Sequence, residues 1–95
     1  MTLSDKPVAN PGVVLREEFD DWAVLFNPET AEAVGINPVG VAVWKLMDGA
    51  CCIGDIVTDV RERFSNVPET ALQEVTAFVE ELTRLGFVGH EVQDA

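Results

Sequence analysis

The sequence predicts an α+β domain, a three-stranded antiparallel sheet followed by three helices, and three observations predict it. Between residues 13 and 36, β-prone runs are broken by turn residues at hairpin spacing. From Asn37 onward the apolar period switches from two to about 3.6, the helical repeat. The chain has 95 residues, enough for one small core that buries ~60–65% of the unfolded surface, and it shows no internal repeat or low-complexity segment.

Residues 1–12 hold Pro7, Asn10, Pro11 and Gly12 without an apolar period and read as a flexible lead-in. The runs 13–19 and 22–26 are strands separated by Asp20-Asp21, the spacing of a tight hairpin. Asn27-Pro28-Glu29-Thr30 supplies the next turn, with Pro28 setting φ for a type I turn. In the third strand, 31–36, Glu32, Val34 and Ile36 share one face while Ala31, Ala33 and Gly35 leave the other nearly bare.

Asn37-Pro38 reads as an N-cap followed by proline at the first helical position. Helix one then runs to about residue 48 on the stripe Val39, Ala42, Val43, Leu46 and Met47, with Trp44 beside it and Gly49 as the stop. Helix two spans about 53–64, where Ile53, Ile56, Val57, Val60 and Phe64 keep one amphipathic face. Asn66-Val67-Pro68-Glu69 resembles a capping box opening helix three, which continues to Leu85 and ends at Gly86. Phe87-Val88 adds a last short strand or packs on the core. The ordered domain is thus expected over 13–89, with a flexible tail over 90–95.

Little in the chain points to catalysis. There is one His, no Tyr, and no run resembling a phosphate loop, a zinc ligand set or a nucleophile elbow. His90 reads as a solvated tail residue. The adjacent Cys51 and Cys52 could form only a distorted eight-membered ring, and they read as reduced thiols with too few sulfurs for zinc. No metal, cofactor or catalytic residue is assigned. Six Lys and Arg against seventeen Asp and Glu give a net charge of −11, which repels nucleic acid and anionic membranes. No apolar run reaches the ~18–20 residues of a membrane span, and the amino end lacks the basic start and apolar stretch of a secretion signal. The expected location is the cytoplasm, and the expected role is binding.

Helix three carries more apolar surface than its attachment requires. Ala71, Val75, Phe78, Leu82 and Leu85 fall in one arc and suffice to fasten it to the core. A shoulder of Leu72, Thr76, Val79 and Thr83 lies beside that arc, either as the flank of a buried helix or as the wall of a groove. The third strand offers the matching wall if it lies at the sheet edge, because a free edge presents unpaired N–H and C=O groups to an incoming strand. The expected peptide-binding residues are therefore Ala31, Glu32, Ala33, Val34 and Gly35 on the strand, with Leu72, Thr76, Val79 and Thr83 on the helix.

These residues carry a family resemblance. Leu25-Phe26-Asn27-Pro28-Glu29 is similar to the apolar-x-Pro-Glu turn of the PqqD-like family, the RiPP recognition elements. Ile36-Asn37 and the run Gly40-Val41-Ala42-Val43-Trp44-Lys45-Leu46-Met47-Asp48-Gly49 follow in order, then Ile53-Gly54-Asp55-Ile56, Glu74-Val75, Phe78-Val79, Leu82 and Gly86-Phe87-Val88. The resemblance covers about residues 13–88. The sequence departs from the pattern with Cys52 in place of a Ser or Thr cap, Glu74 in place of Asp, and Pro38 directly after Asn37. The resemblance implies a winged helix-turn-helix-like domain that receives the leader of a ribosomally made precursor peptide as a strand beside its third strand and against its third helix. It also implies delivery to a modifying enzyme, often a radical SAM/SPASM-type protein with iron–sulfur clusters, with no chemistry on the domain itself.

Two other readings compete. A winged-helix nucleic-acid binder would present Glu69, Glu74, Glu80 and Glu81 with only Arg84 from its third helix, the wrong sign for a polyanion. A homodimer or scaffold module would pair the free edge with its own copy.

Overall fold

The computed structural model describes residues 3–65 and 67–90. Strands β1 (Pro7–Ala9), β2 (Val14–Glu17), β3 (Ala23–Asn27) and β4 (Glu32–Ile36) precede helices α1 (Pro38–Leu46), α2 (Ile53–Arg63) and α3 (Ala71–Arg84), and β5 (Val88–His90) closes the chain. The expected antiparallel sheet is present in the order β2-β3-β4. Its register pairs Val14 with Phe26, Val24 with Gly35 and Ala23 with Ile36.

The turns follow from local chemistry. Asp20 and Asp21 both adopt left-handed φ, near 57° and 63°, and Trp22 N–H donates to the Phe19 carbonyl at 3.1 Å. Asp tolerates this region because its short side chain can bond locally, and a turn with two left-handed residues matches the twist of a hairpin. At the next turn Asn27 Oδ1 accepts from Glu29 N–H at 3.0 Å, and the Asn27 carbonyl accepts from Ala31 N–H at 2.8 Å. Ala31 pays with φ near 61°, so it belongs to the turn, and the strand starts one residue later than its composition suggests.

The helices begin and end for identifiable reasons. Asn37 Oδ1 caps α1 by accepting from Gly40 N–H at 2.8 Å, with Pro38 in the first turn, as the sequence suggests. Asp48 accepts from Ala50 N–H at 2.9 Å and Cys51 N–H at 3.2 Å, holding the turn between α1 and α2. These bonds favour its charged form and keep its carboxyl below the usual carboxylate range. Cys52 takes the N-cap position of α2 without a side-chain cap bond. The predicted start of α3 differs: the turn at Glu69-Thr70 precedes a helix whose N-cap is Thr70, and Asn66 of the expected capping box lies outside the described residues. Thr70 Oγ1 donates instead to Glu74 Oε2 at 3.0 Å.

Residues 3–12 depart most from expectation. In place of a loose lead-in, β1 pairs with β5 through Pro7–His90, Val8–Gly89 and Ala9–Val88. Its other side is held by Ala9 N–H to the Met47 carbonyl at 2.8 Å and by Gly49 N–H to the Pro7 carbonyl at 3.2 Å. Upstream, the carbonyls of Leu3 and Asp5 accept from Gly54 and Ile53 N–H, satisfying donors at the start of α2. The backbone of His90 lies in β5, and the rest of the expected tail, 91–95, is outside the described residues.

One core collects Leu25, Ile36, Val43, Trp44, Ile53, Ile56, Val60, Val79, Leu82 and Phe87 between the inner face of the sheet and the three helices. Among the described residues no helix is long and apolar enough to cross a membrane.

Candidate functional site

Among the described residues β4 pairs only with β3, so its other side is a free edge of the three-stranded sheet, as the groove reading requires. Along β4, Ile36 is buried and Val34 packs on the core, while Ala33 and Gly35 face outward. Gly35 leaves open space, since a Cβ built there meets nothing within 4 Å.

Helix α3 approaches the end of this strand through Phe78. Near its middle, Phe78 Cζ lies 3.3 Å from where a Cβ on Gly40 would stand, and Ile36 Cβ lies 3.1 Å from the same point. Gly40 therefore lets Phe78 close onto the end of β4, and a side chain at 40 would push them apart. Near its end, Arg84 bonds Glu81 through Nε at 3.1 Å and through its terminal nitrogen. This pair holds the Glu81 carboxyl below its usual range and raises Arg84, with the charge of Glu32 at the start of β4 adding to the latter.

By the helical period, the flank of α3 that holds Phe78 also carries Glu74, Glu81 and Leu85, spaced i, i+4, i+7 and i+11. Leu72, Thr76, Val79 and Thr83 have the same spacing on the other side of the buried stripe of Ala71, Val75 and Leu82. Among them Val79 is 0% exposed and belongs to the core, where it offers no surface to a ligand. Thr83 Oγ1 is turned back to the Val79 carbonyl at 2.7 Å. Phe78, expected in the core stripe, is half-buried and packs against the core, whereas Val79, expected on the shoulder, is wholly buried.

A cavity of about 340 Å³ opens where α1 begins, α2 ends and α3 starts. Its walls include Val39, Gly40, Phe64, Val67, Val75 and Phe78, with Asn37 and Glu74 among its polar members. Phe78 belongs both to this cavity and to the approach to Ile36 at the end of β4. No sequence signal marks the cavity, because its walls come from three helices and from Ser65, Val67 and Pro68 between α2 and α3.

Elsewhere the side chains are chemically quiet. Among the described residues no cluster of three or more His, Cys, Asp and Glu could hold a metal. Cys51 and Cys52 are free thiols, as expected. Burial pushes the Cys51 thiol up, and the charges of Asp48 and Asp55 push it further, which disfavours the reactive thiolate.

Fold and site together define a class: small α+β domains with a three-stranded antiparallel sheet whose last strand is an open edge beside the third helix. The chain belongs to the PqqD family, for the family described as "Coenzyme PQQ synthesis protein D (PqqD)" matches residues 23–88. No curated protein matches the sequence. Two solved structures are similar in fold. One, "TbiB1 in Complex with the TbiA(beta) Leader Peptide", has a TM-score of 0.72 at 22% identity, covering 92% of this chain and 99% of that one. The other, "Lasso peptide synthetase B1 complexed with the leader peptide", has a TM-score of 0.72 at 14% identity, covering 88% and 98%.

Proposed function

We propose that this chain binds the leader segment of a ribosomally synthesised precursor peptide by strand addition to β4 and holds it for a modifying enzyme. The observation that carries this reading is the free β4 edge lying against a helix flank with a half-buried aromatic and an adjoining apolar cavity. Main-chain hydrogen bonds along Glu32, Ala33, Val34 and Gly35, entered from the turn at Ala31, supply affinity, and pockets between β4 and α3 supply selectivity. Phe78 takes the central place on the helix, in exchange for Leu72, Thr76, Val79 and Thr83. Family membership and the leader peptides bound in the two similar structures support the same reading.

The domain does no chemistry in this scheme. The modification belongs to a partner, a radical SAM enzyme with iron–sulfur clusters, which meets the peptide in the cytoplasm. The test is a titration of the protein with the synthetic leader of the precursor encoded beside it, followed by fluorescence anisotropy. Saturable binding is expected, weakened at least tenfold by Pro at whichever of Ala33 and Val34 turns its N–H to the free edge, since proline removes the donor. Equal affinity for both proline variants, each verified as folded, would reject strand addition. Light scattering across concentration would reveal an edge occupied by a second copy.

A further inference from the structure

The outer face of the sheet carries a hollow that the groove does not explain. Phe19 is 80% exposed and Trp22 52% exposed at the β2–β3 hairpin, an unusual outlay of aromatic surface on a chain this small. With Val24 they wall a shallow depression of about 300 Å³ whose floor includes Gly35 and whose rim includes Glu18 and Asp20. Gly35 belongs to the edge strand, so the hollow opens directly beside the place where a guest strand would lie.

Building on the leader-binding reading, we infer that this hollow receives a lysine or arginine side chain of the bound peptide. A guest strand sits about 4.8 Å from β4 and turns alternate side chains to the outer face. One of them, next to Gly35, meets no side chain on β4 and can lie across the glycine toward Val24 and Trp22. Only a long side chain crosses β4 to reach the β3 residues. An aliphatic stem suits Val24, and a cationic head suits the aromatic faces and the carboxylates of Glu18 and Asp20. Arg16, paired across the sheet with Val24, lies 3.9 Å from Glu18, and the chain as a whole carries −11. A second copy of the chain is a poor occupant, since it would bring the same acidic rim against this one.

The experiment measures affinity for the synthetic leader encoded beside the chain, with each Lys and Arg of the peptide replaced in turn by Met, against wild-type protein and the Trp22→Leu and Phe19→Leu variants. Both positions are exposed, so the variants should keep the wild-type melting profile. Trp22→Leu should weaken binding about two- to fivefold. One basic position of the peptide should give a similar loss, and the two changes together should cost little more than either alone. Additive losses, unchanged affinity in both protein variants, or a leader without a basic residue that matters would overturn the inference, leaving the hollow to another protein. Failure of the unaltered leader to bind wild-type protein would instead overturn the leader-binding reading itself, before any variant is compared.

Discussion

The two flanks of α3 are close to equivalent on paper and unlike in space. Each follows the same i, i+4, i+7, i+11 spacing, and each mixes apolar with polar residues. One flank, with Phe78 at its centre, closes onto β4 through the gap left by Gly40 and adjoins the cavity. The other, with Leu72, Thr76 and Thr83, lies across the buried stripe, and its Val79 has sunk into the core. A helical wheel reads amphipathicity but not which neighbour stands beside each shoulder.

The largest effect separates core from groove. Val79→Glu would bury a charge with no partner and should cost about 4 kcal/mol or more, leaving no cooperative thermal transition. A folded Val79→Glu protein that merely loses peptide affinity would return Val79 to the groove wall. Next, Phe78→Ala should lower stability by about 2–3 kcal/mol in urea unfolding and weaken leader binding at least tenfold. Leu72→Ala on the opposite flank should cost about 1 kcal/mol of stability with affinity unchanged. Equal losses of affinity in the two variants would erase the distinction between the flanks.

The fold was legible wherever contacts are local. The helix-two stripe of Ile53, Ile56, Val57 and Val60 is buried as its period implies, and Asn37-Pro38 opens α1 as its chemistry implies. The hairpins follow from Asp20-Asp21 and from Asn27-Pro28, both turn-forming pairs. Strand β1 was not legible, because Pro7-Val8-Ala9 has no period to read and its partners are Val88–His90 and the Met47–Gly49 turn, far along the chain. The strand half of the candidate site could be read from the small residues Ala33 and Gly35. On the helix, Phe78 and Val79 are adjacent, and which of them sinks deeper depends on what packs around α3, which the period alone does not give.

Smaller effects sharpen the picture at the edges of the site. Asp48 and Glu81 have carboxyls held below their usual range in the folded protein, so their contribution is fully present above their ordinary values and is lost as pH falls through the lowered ones. Melting temperature should therefore drop below about pH 4, and Asp48→Asn, which keeps an acceptor oxygen but cannot titrate, should flatten part of that drop. An identical acid profile in the variant would remove Asp48 from the account. The smallest change concerns Ala31, whose left-handed backbone suits glycine better. Ala31→Gly should be neutral or stabilising by up to about 1 kcal/mol, with leader affinity preserved, because the turn and not the side chain sets the start of β4.

The most direct test of the central claim is a map of backbone amide shifts in ¹⁵N-labelled protein titrated with the synthetic leader. Shifts concentrated at residues 32–36 together with Phe78, Glu81 and Leu85 are the predicted result. Shifts at Leu72, Thr76 and Thr83 with β4 unmoved would contradict it, and would place the ligand on the opposite flank of α3.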